Sequence, residues 1–283
     1  MTHDRKGTPI QMVQLTDSHR FGHELASLLT RYQYHRDGIT LTAAEQRPLP
    51  SSAYTAPTAG LEAVFSSSAS VVFVCYEDRE NQMVNPIEAT LTEAIGNAVC
   101  RDGIQPDGET ATTSGEQATD GGTPDPGVDG FQGSEDQQRA LSFGVVTPHN
   151  AQRGALETRF DETVTANTVE KYQGGERDVI AVSATVSDPE FARREERFIL
   201  NPNRLLVAIS RSRLLTVVVC STSLFEVAPK ETHGENGPIW ARLFTQAVGR
   251  DPRPTWDGNI AEFVGRDTHT VAGVPVRVYP SSV

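Results

Sequence analysis

Four short runs constrain this chain more than anything else in it: SVVFVCYED (70–78), SFGVVTP (142–148), DVIAVSA (178–184) and LLTVVVCS (214–221). Each is dense in β-branched and other apolar residues and lacks the in–out alternation of a half-exposed strand. A strand with no polar face must be covered on both sides, and sheets of that kind are parallel sheets flanked by helices. The stretches between the runs have the matching character. NPIEATLTEAIGNAVC (85–100) places Ile87, Leu91, Ile95 and Val99 along one helical face, and Asn85-Pro86 supplies an N-cap and a first-turn proline. The expected fold is therefore α/β, a parallel sheet with helices on both faces. Its core strands are expected at Val71–Tyr76, Phe143–Thr147, Val179–Ala184 and Leu215–Cys220, with a short strand ending near Thr168.

Charge has to be read locally. The net charge is −12, yet 102–138 alone holds nine acidic residues and no Lys or Arg. Without that stretch, 28 acidic residues face 25 basic ones, so any nucleic-acid surface must be a local patch and not a basic face. The same stretch is Gly, Thr, Asp, Pro and Glu with almost no core formers, which predicts a disordered acidic insertion. Cys75, Cys100 and Cys220 have no paired spacing and read as free thiols, and no Cys or His cluster suggests a metal. No apolar run reaches membrane-spanning length and the N-terminus has no signal core, so the chain is expected to be soluble and cytoplasmic.

Three segments carry chemistry: GVVTPHNAQ (144–152), TVEKYQGGERDVI (168–180) and RLLVAISRSR (204–213). Asn201-Pro202 opens the last of them as a helix, and a helix running through 213 would put Arg204 and Arg211 on nearly one face, two turns apart. Two guanidinium forks so arranged suit polyphosphate recognition. In order and character these segments resemble motifs IV, V and VI of the second RecA-like domain of superfamily 1 helicases, closest to the nonsense-mediated-decay and replication helicase group. The segment around VQLTDSHRFGHELASLL is similar to the one that opens that domain.

The resemblance implies a P-loop NTPase-type RecA fold and a set of roles. Arg211 matches the arginine finger, and Arg20 the arginine on the terminal phosphates of ATP. His19 stands where the family has an aromatic against adenine. Gln173 and Glu176 match nucleotide contacts, Glu176 toward the ribose hydroxyls. Arg204 is a motif position that bridges Glu176 or another acidic partner. Thr147, His149, Gln152 and Thr168 match nucleic-acid contacts. Arg213 is left open between the site and a surface pair. Two departures stand out: Leu206 replaces the family's Asn, and Gly175 its Arg or small residue.

The phosphate-cradling G-x-x-x-x-G-K-[ST] and the acidic pair that holds magnesium are absent. In the family both belong to a first RecA-like domain, so ATP and Mg2+ are expected to need that domain, in cis or in trans. The expected organisation is a disordered 1–12, a second RecA-like domain over 13–225, and a C-terminal helix and tail over 226–283, with an irregular connection over Thr40–Ser70 and an edge strand in VAGVPVRVYP (271–280). The expected partners are single-stranded DNA or RNA and the first domain. The competing expectation is a non-catalytic remnant that binds nucleic acid or a protein.

Overall fold

The computed structural model describes residues 17–44, 56–100, 141–161, 163–172, 175–229 and 238–282. The acidic stretch, the first sixteen residues and Gln173 lie outside them. Seven strands form the main sheet: β3 (Val71–Tyr76), β4 (Phe143–Thr147), β5 (Thr165–Thr168), β6 (Arg177–Ser183), β7 (Ser212–Ser221), β8 (Trp256–Asn259) and β9 (Pro275–Pro280). Their order is β5-β4-β6-β7-β3-β9-β8. The first five are parallel, and β9 is antiparallel to both β3 and β8. A separate two-residue pairing joins β1 (Asp17–Ser18) to β2 (Thr42–Ala43).

The apolar runs behave as their composition demands. Val71, Phe73 and Cys75 point to one face, and Val72, Val74 and Tyr76 to the other; all six are buried. On the first face lie α1 (His23–Tyr32), α7 (Pro202–Ile209) and α8 (Ile239–Val248). On the second lie α2 (Ala59–Phe65), α3 (Pro86–Cys100), α4 (Asn150–Glu157) and α9 (Ile260–Val264). The FARREERFI stretch folds as two short helices, α5 (Pro189–Arg194) and α6 (Glu196–Ile199). Cys75 and Cys220 are buried, Cys100 is exposed, and none of the three is in a disulfide. No helix among the described residues is long and apolar enough to cross a membrane.

Three local expectations are corrected. The stretch after Thr40 is not wholly irregular: it contains β2 and the seven-residue α2. A helix that short is not stable alone. It holds because Thr58 caps it, accepting from Leu61 N, and donates its own hydroxyl to Phe263 O at 2.6 Å, while Leu61, Val64 and Phe65 are buried. Secondly, the VAGVPVRVYP segment is not an edge strand. It becomes β9, flanked on both sides, and the edge falls to β8. Thirdly, the arginine helix is shorter than its sequence suggests. Asn201 caps α7 at the expected place, accepting from Asn203 N and Arg204 N, but the helix ends at Ile209. Arg211 lies in the turn after it and Arg213 in β7.

Candidate functional site

The end of α7 sets the geometry. Ser210 and Arg211 turn the chain into β7, and Arg177 N donates to Arg211 O at 3.3 Å, tying that turn to the start of β6. Glu176 directly precedes β6. Arg20 sits between β1 and α1, with its backbone N on Ser18 Oγ at 3.2 Å. These residues meet at the amino-terminal edge of β6 and β7.

Glu176 is the hub. Arg20 Nε donates to its Oε2 at 3.1 Å, and Arg213 donates to Oε1 from Nε at 3.0 Å and Nη2 at 2.5 Å. Arg20 Nη1 also reaches Ser210 O at 3.2 Å. The hydrogen bonds and charge of Arg213, and then Arg20, hold the Glu176 carboxyl below its ordinary range. Arg213 therefore belongs to this cluster, and neither carboxylate oxygen of Glu176 is left free of a guanidinium.

Arg211 is different. Burial first, then the like charge of Arg20, pull its guanidinium below the ordinary value. Its Nε is buried with no hydrogen-bond partner, and no ion pair is found for it among the described residues. Arg20 and Arg211 thus lie within reach of each other's charge, two guanidinium groups share the Glu176 carboxylate, and with Arg211 beside them the cluster keeps a positive surplus. The donor set fits phosphate oxygens. It does not fit a dication: no group of three His, Cys, Asp or Glu side chains comes together among the described residues. His19, exposed, lies beside Arg20.

Arg204 is not part of this cluster. It pairs with Glu170, and its guanidinium lies 3.7 Å from the centre of the Phe198 ring. The expected shared face with Arg211 fails because the helix stops between them. Arg204 belongs with the carboxyl ends of the strands, where it lines a cleft with Val146, Thr147, Pro148, Phe198 and Trp240.

At that carboxyl edge the expected nucleic-acid residues are mostly interior. Thr147 and Gln152 are 0 % exposed and Thr168 is buried. Thr147 Oγ1 lies 2.8 Å from Thr185 Oγ1. Gln152 Oε1 accepts from Asn85 N at 2.8 Å, and its Nε2 donates to Ser183 Oγ at 3.2 Å. These side chains satisfy buried polar atoms, so in this conformation they are not available to a sugar or phosphate. His149 is half-buried, packed against Phe198 with ring centres 5.3 Å apart, and burial lowers its pKa. Gln152→Ala would leave Asn85 N without its acceptor, a loss of about 1–3 kcal/mol. Urea unfolding is expected to show that loss at unchanged cooperativity.

Sequence reading missed the centre of this network. Asn85 was expected as a cap, and Glu88 N does donate to its Oδ1 at 3.1 Å. Glu88 itself is wholly buried and accepts from Tyr76 at 2.8 Å, Ser183 at 2.6 Å and Thr185 N at 2.7 Å. Burial outweighs those three donors and lifts its pKa from 4.5 to about 8. Thr185, held by these bonds, sits at φ 69°, a left-handed conformation costly for a β-branched residue. The folded chain keeps the Glu88 proton where the unfolded chain has lost it. This contribution is therefore whole below pH 4.5 and is lost as pH rises through about 8. Relative to Glu88→Gln, the wild type is expected to lose stability across that window, by up to about 1.4 kcal/mol per pH unit. Equal slopes in pH-dependent urea melts of the two would contradict a protonated Glu88.

The mostly parallel strand order and the helices on both faces define a RecA-like fold, with an arginine-rich cluster at the amino edge of β6 and β7. Comparison with known proteins agrees. Residues 132–223 match the family AAA_12, described as an AAA domain. The chain is 34 % identical over 96 residues to a protein of Drosophila melanogaster named probable RNA helicase armi. That match covers 31 % of this chain and 8 % of the fly protein's length. Together these similarities support a helicase-like domain over part of this chain.

Proposed function

We propose that this chain supplies the second motor wall of an ATP-dependent nucleic-acid helicase or translocase. The observation that carries the reading is Arg211, held against the like charge of Arg20 with a buried Nε that nothing among the described residues satisfies. A guanidinium kept in that state is poised for an anion brought from outside. In the proposed cycle a first RecA-like domain, in cis or in trans, presents ATP with Mg2+ across the cleft. Arg211 then acts as the arginine finger, placing positive charge where the transferring phosphoryl group develops negative charge. Arg20 contacts the terminal phosphates, and His19 packs near the base.

Glu176 must be shared if it is to accept from ribose hydroxyls, because Arg20 and Arg213 already hold both its oxygens. Arg20 is the partner that would leave, since it is also the one drawn to phosphate. Single-stranded DNA or RNA would run along the carboxyl edge. There His149 and the backbone at Thr147 and Thr168 remain the candidates, since the side chains of Thr147 and Gln152 are hydrogen-bonded internally and Thr168 is buried.

The test is reconstitution. The purified chain is expected to hydrolyse no ATP, and a separately produced first RecA-like domain is expected to restore turnover stimulated by single strands. Turnover by this chain alone that disappears in Arg211→Ala, and so is not a contaminant's, would show that the second-wall reading is wrong.

A further inference from the structure

Tyr172 has no role in the reading above, yet it is closely packed at its hydroxyl end. It is 3 % exposed, and its hydroxyl is buried without a hydrogen-bond partner. Two glycines make room for it. A Cβ on Gly144 would lie 2.0 Å from the Tyr172 hydroxyl oxygen and 3.1 Å from Cζ, with Arg177 Cγ at 3.0 Å. A Cβ on Gly175 would lie 3.2 Å from ring atoms Cδ1 and Cε1. The phenol therefore threads a notch that exists only because β4 has no side chain at 144. Its backbone anchors the surrounding turn: Tyr172 N donates to Thr168 O at 2.9 Å, and Gly175 N to Tyr172 O at 3.0 Å. Its far end lies close enough to Arg211 and Arg177 for both charges to act on the phenol.

We infer that Tyr172, seated in the Gly144 notch, is a positioning residue that fixes Arg211 and Glu176 for anion binding. The inference rests on the proposed function, and it adds a device that composition and motif spacing do not carry. Among the described residues Arg211 has no hydrogen bond on Nε and no ion pair to hold its fork, so packing must hold it instead. The ring is wedged between β4, at Gly144, and the turn leading to Glu176, near enough to Arg211 for its charge to act on the phenol. The hydroxyl itself does not contribute by bonding, because it has no partner. What matters is the ring's seat, and Gly144 sets its depth.

That distinction gives a test with internal rescue. In the full chain, Tyr172→Phe keeps the ring and removes an unsatisfied buried hydroxyl, so it should bind inorganic tripolyphosphate within about twofold of wild type. Gly144→Ala should lose tenfold or more, because the added methyl collides with the hydroxyl. The double variant G144A/Y172F should recover most of that loss, since the 2.0 Å collision is gone and only the contacts of 3.1 Å to Cζ and 3.0 Å to Arg177 Cγ remain. Calorimetry gives the affinities, and hydrogen exchange at the Tyr172 and Gly175 amides gives the seat without any ligand.

Faster exchange in G144A, reversed by Y172F and matched by the affinities, supports the inference. Exchange that changes while affinity does not would overturn it. Should wild type bind no tripolyphosphate, the nucleotide-wall reading would fall. The exchange data would then decide the seat alone: faster exchange in G144A restored by Y172F would support it, and unchanged exchange would overturn it.

Discussion

Deleting residues 250–283 is expected to abolish cooperative folding, the largest stability effect anticipated for this chain. β9 is the sole described neighbour of β3 on that side, pairing from Val72↔Pro280 to Tyr76↔Val276. The deletion would bare that edge of a central strand. It would also remove Ile260, Phe263, Val276 and Val278, each 0 % exposed. At about 1.5–3 kcal/mol per buried apolar side chain, four of them amount to roughly 6–12 kcal/mol. Whole domains are stable by about 5–15 kcal/mol. The partner helix α2, which lies against α9 through the Thr58–Phe263 bond, would go with them. Far-UV circular dichroism and a urea titration of residues 1–249 should show a loose, non-cooperative species. A sharp transition near the full-length midpoint would mean that the tail is an ornament on a core complete without it.

Arg211→Ala is expected to have the largest functional effect. With a first RecA-like domain supplied, ATP turnover should fall by about a thousandfold or more, the usual scale for an arginine finger. Folding should be spared, because Nε makes no hydrogen bond that the variant would break. Arg211→Lys should recover little, since a point charge lacks the planar fork and the reach of guanidinium. Measured at saturating ATP and single strand, the loss should fall on kcat more than on KM, because the charge it answers develops in the transition state. A variant that turned over within tenfold of wild type would remove Arg211 from the chemistry and leave Arg20 as the sole phosphate contact.

The sheet was legible because its strands are buried on both faces, a demand that local composition can express. Every parallel strand lies within two or three residues of its expected place, and Asn201 and Asn85 cap where they should, since a cap is a contact over two or three residues. Other features depended on contacts between distant parts of the chain. α2 has too few residues to announce itself and is held by Phe263, some two hundred residues away. β9 looked like an edge because nothing in VAGVPVRVYP says that β8 will cover it.

The candidate site divides in the same way. The resemblance supplied the members Arg20, Glu176 and Arg211; Arg20 and Glu176 pair, and Arg211 lies within reach of Arg20's charge. The grouping of Arg204 with them failed because extrapolating the helical period assumed a helix that the turn at Ser210 ends. Thr147 and Gln152 carry polar groups that a motif cannot tell from ligands, and only the fold turned them inward to satisfy Thr185, Asn85 and Ser183. By itself, then, the sequence determined which residues are covered on both sides and which carry charge, because burial and ionisation are properties of side chains and their near neighbours. The tertiary structure alone decided who faces whom: Arg213 joining Glu176, Arg204 leaving for Glu170, Tyr172 entering the notch at Gly144. Those pairings span tens to hundreds of residues, and each was selected by the space and charge left after the sheet had closed.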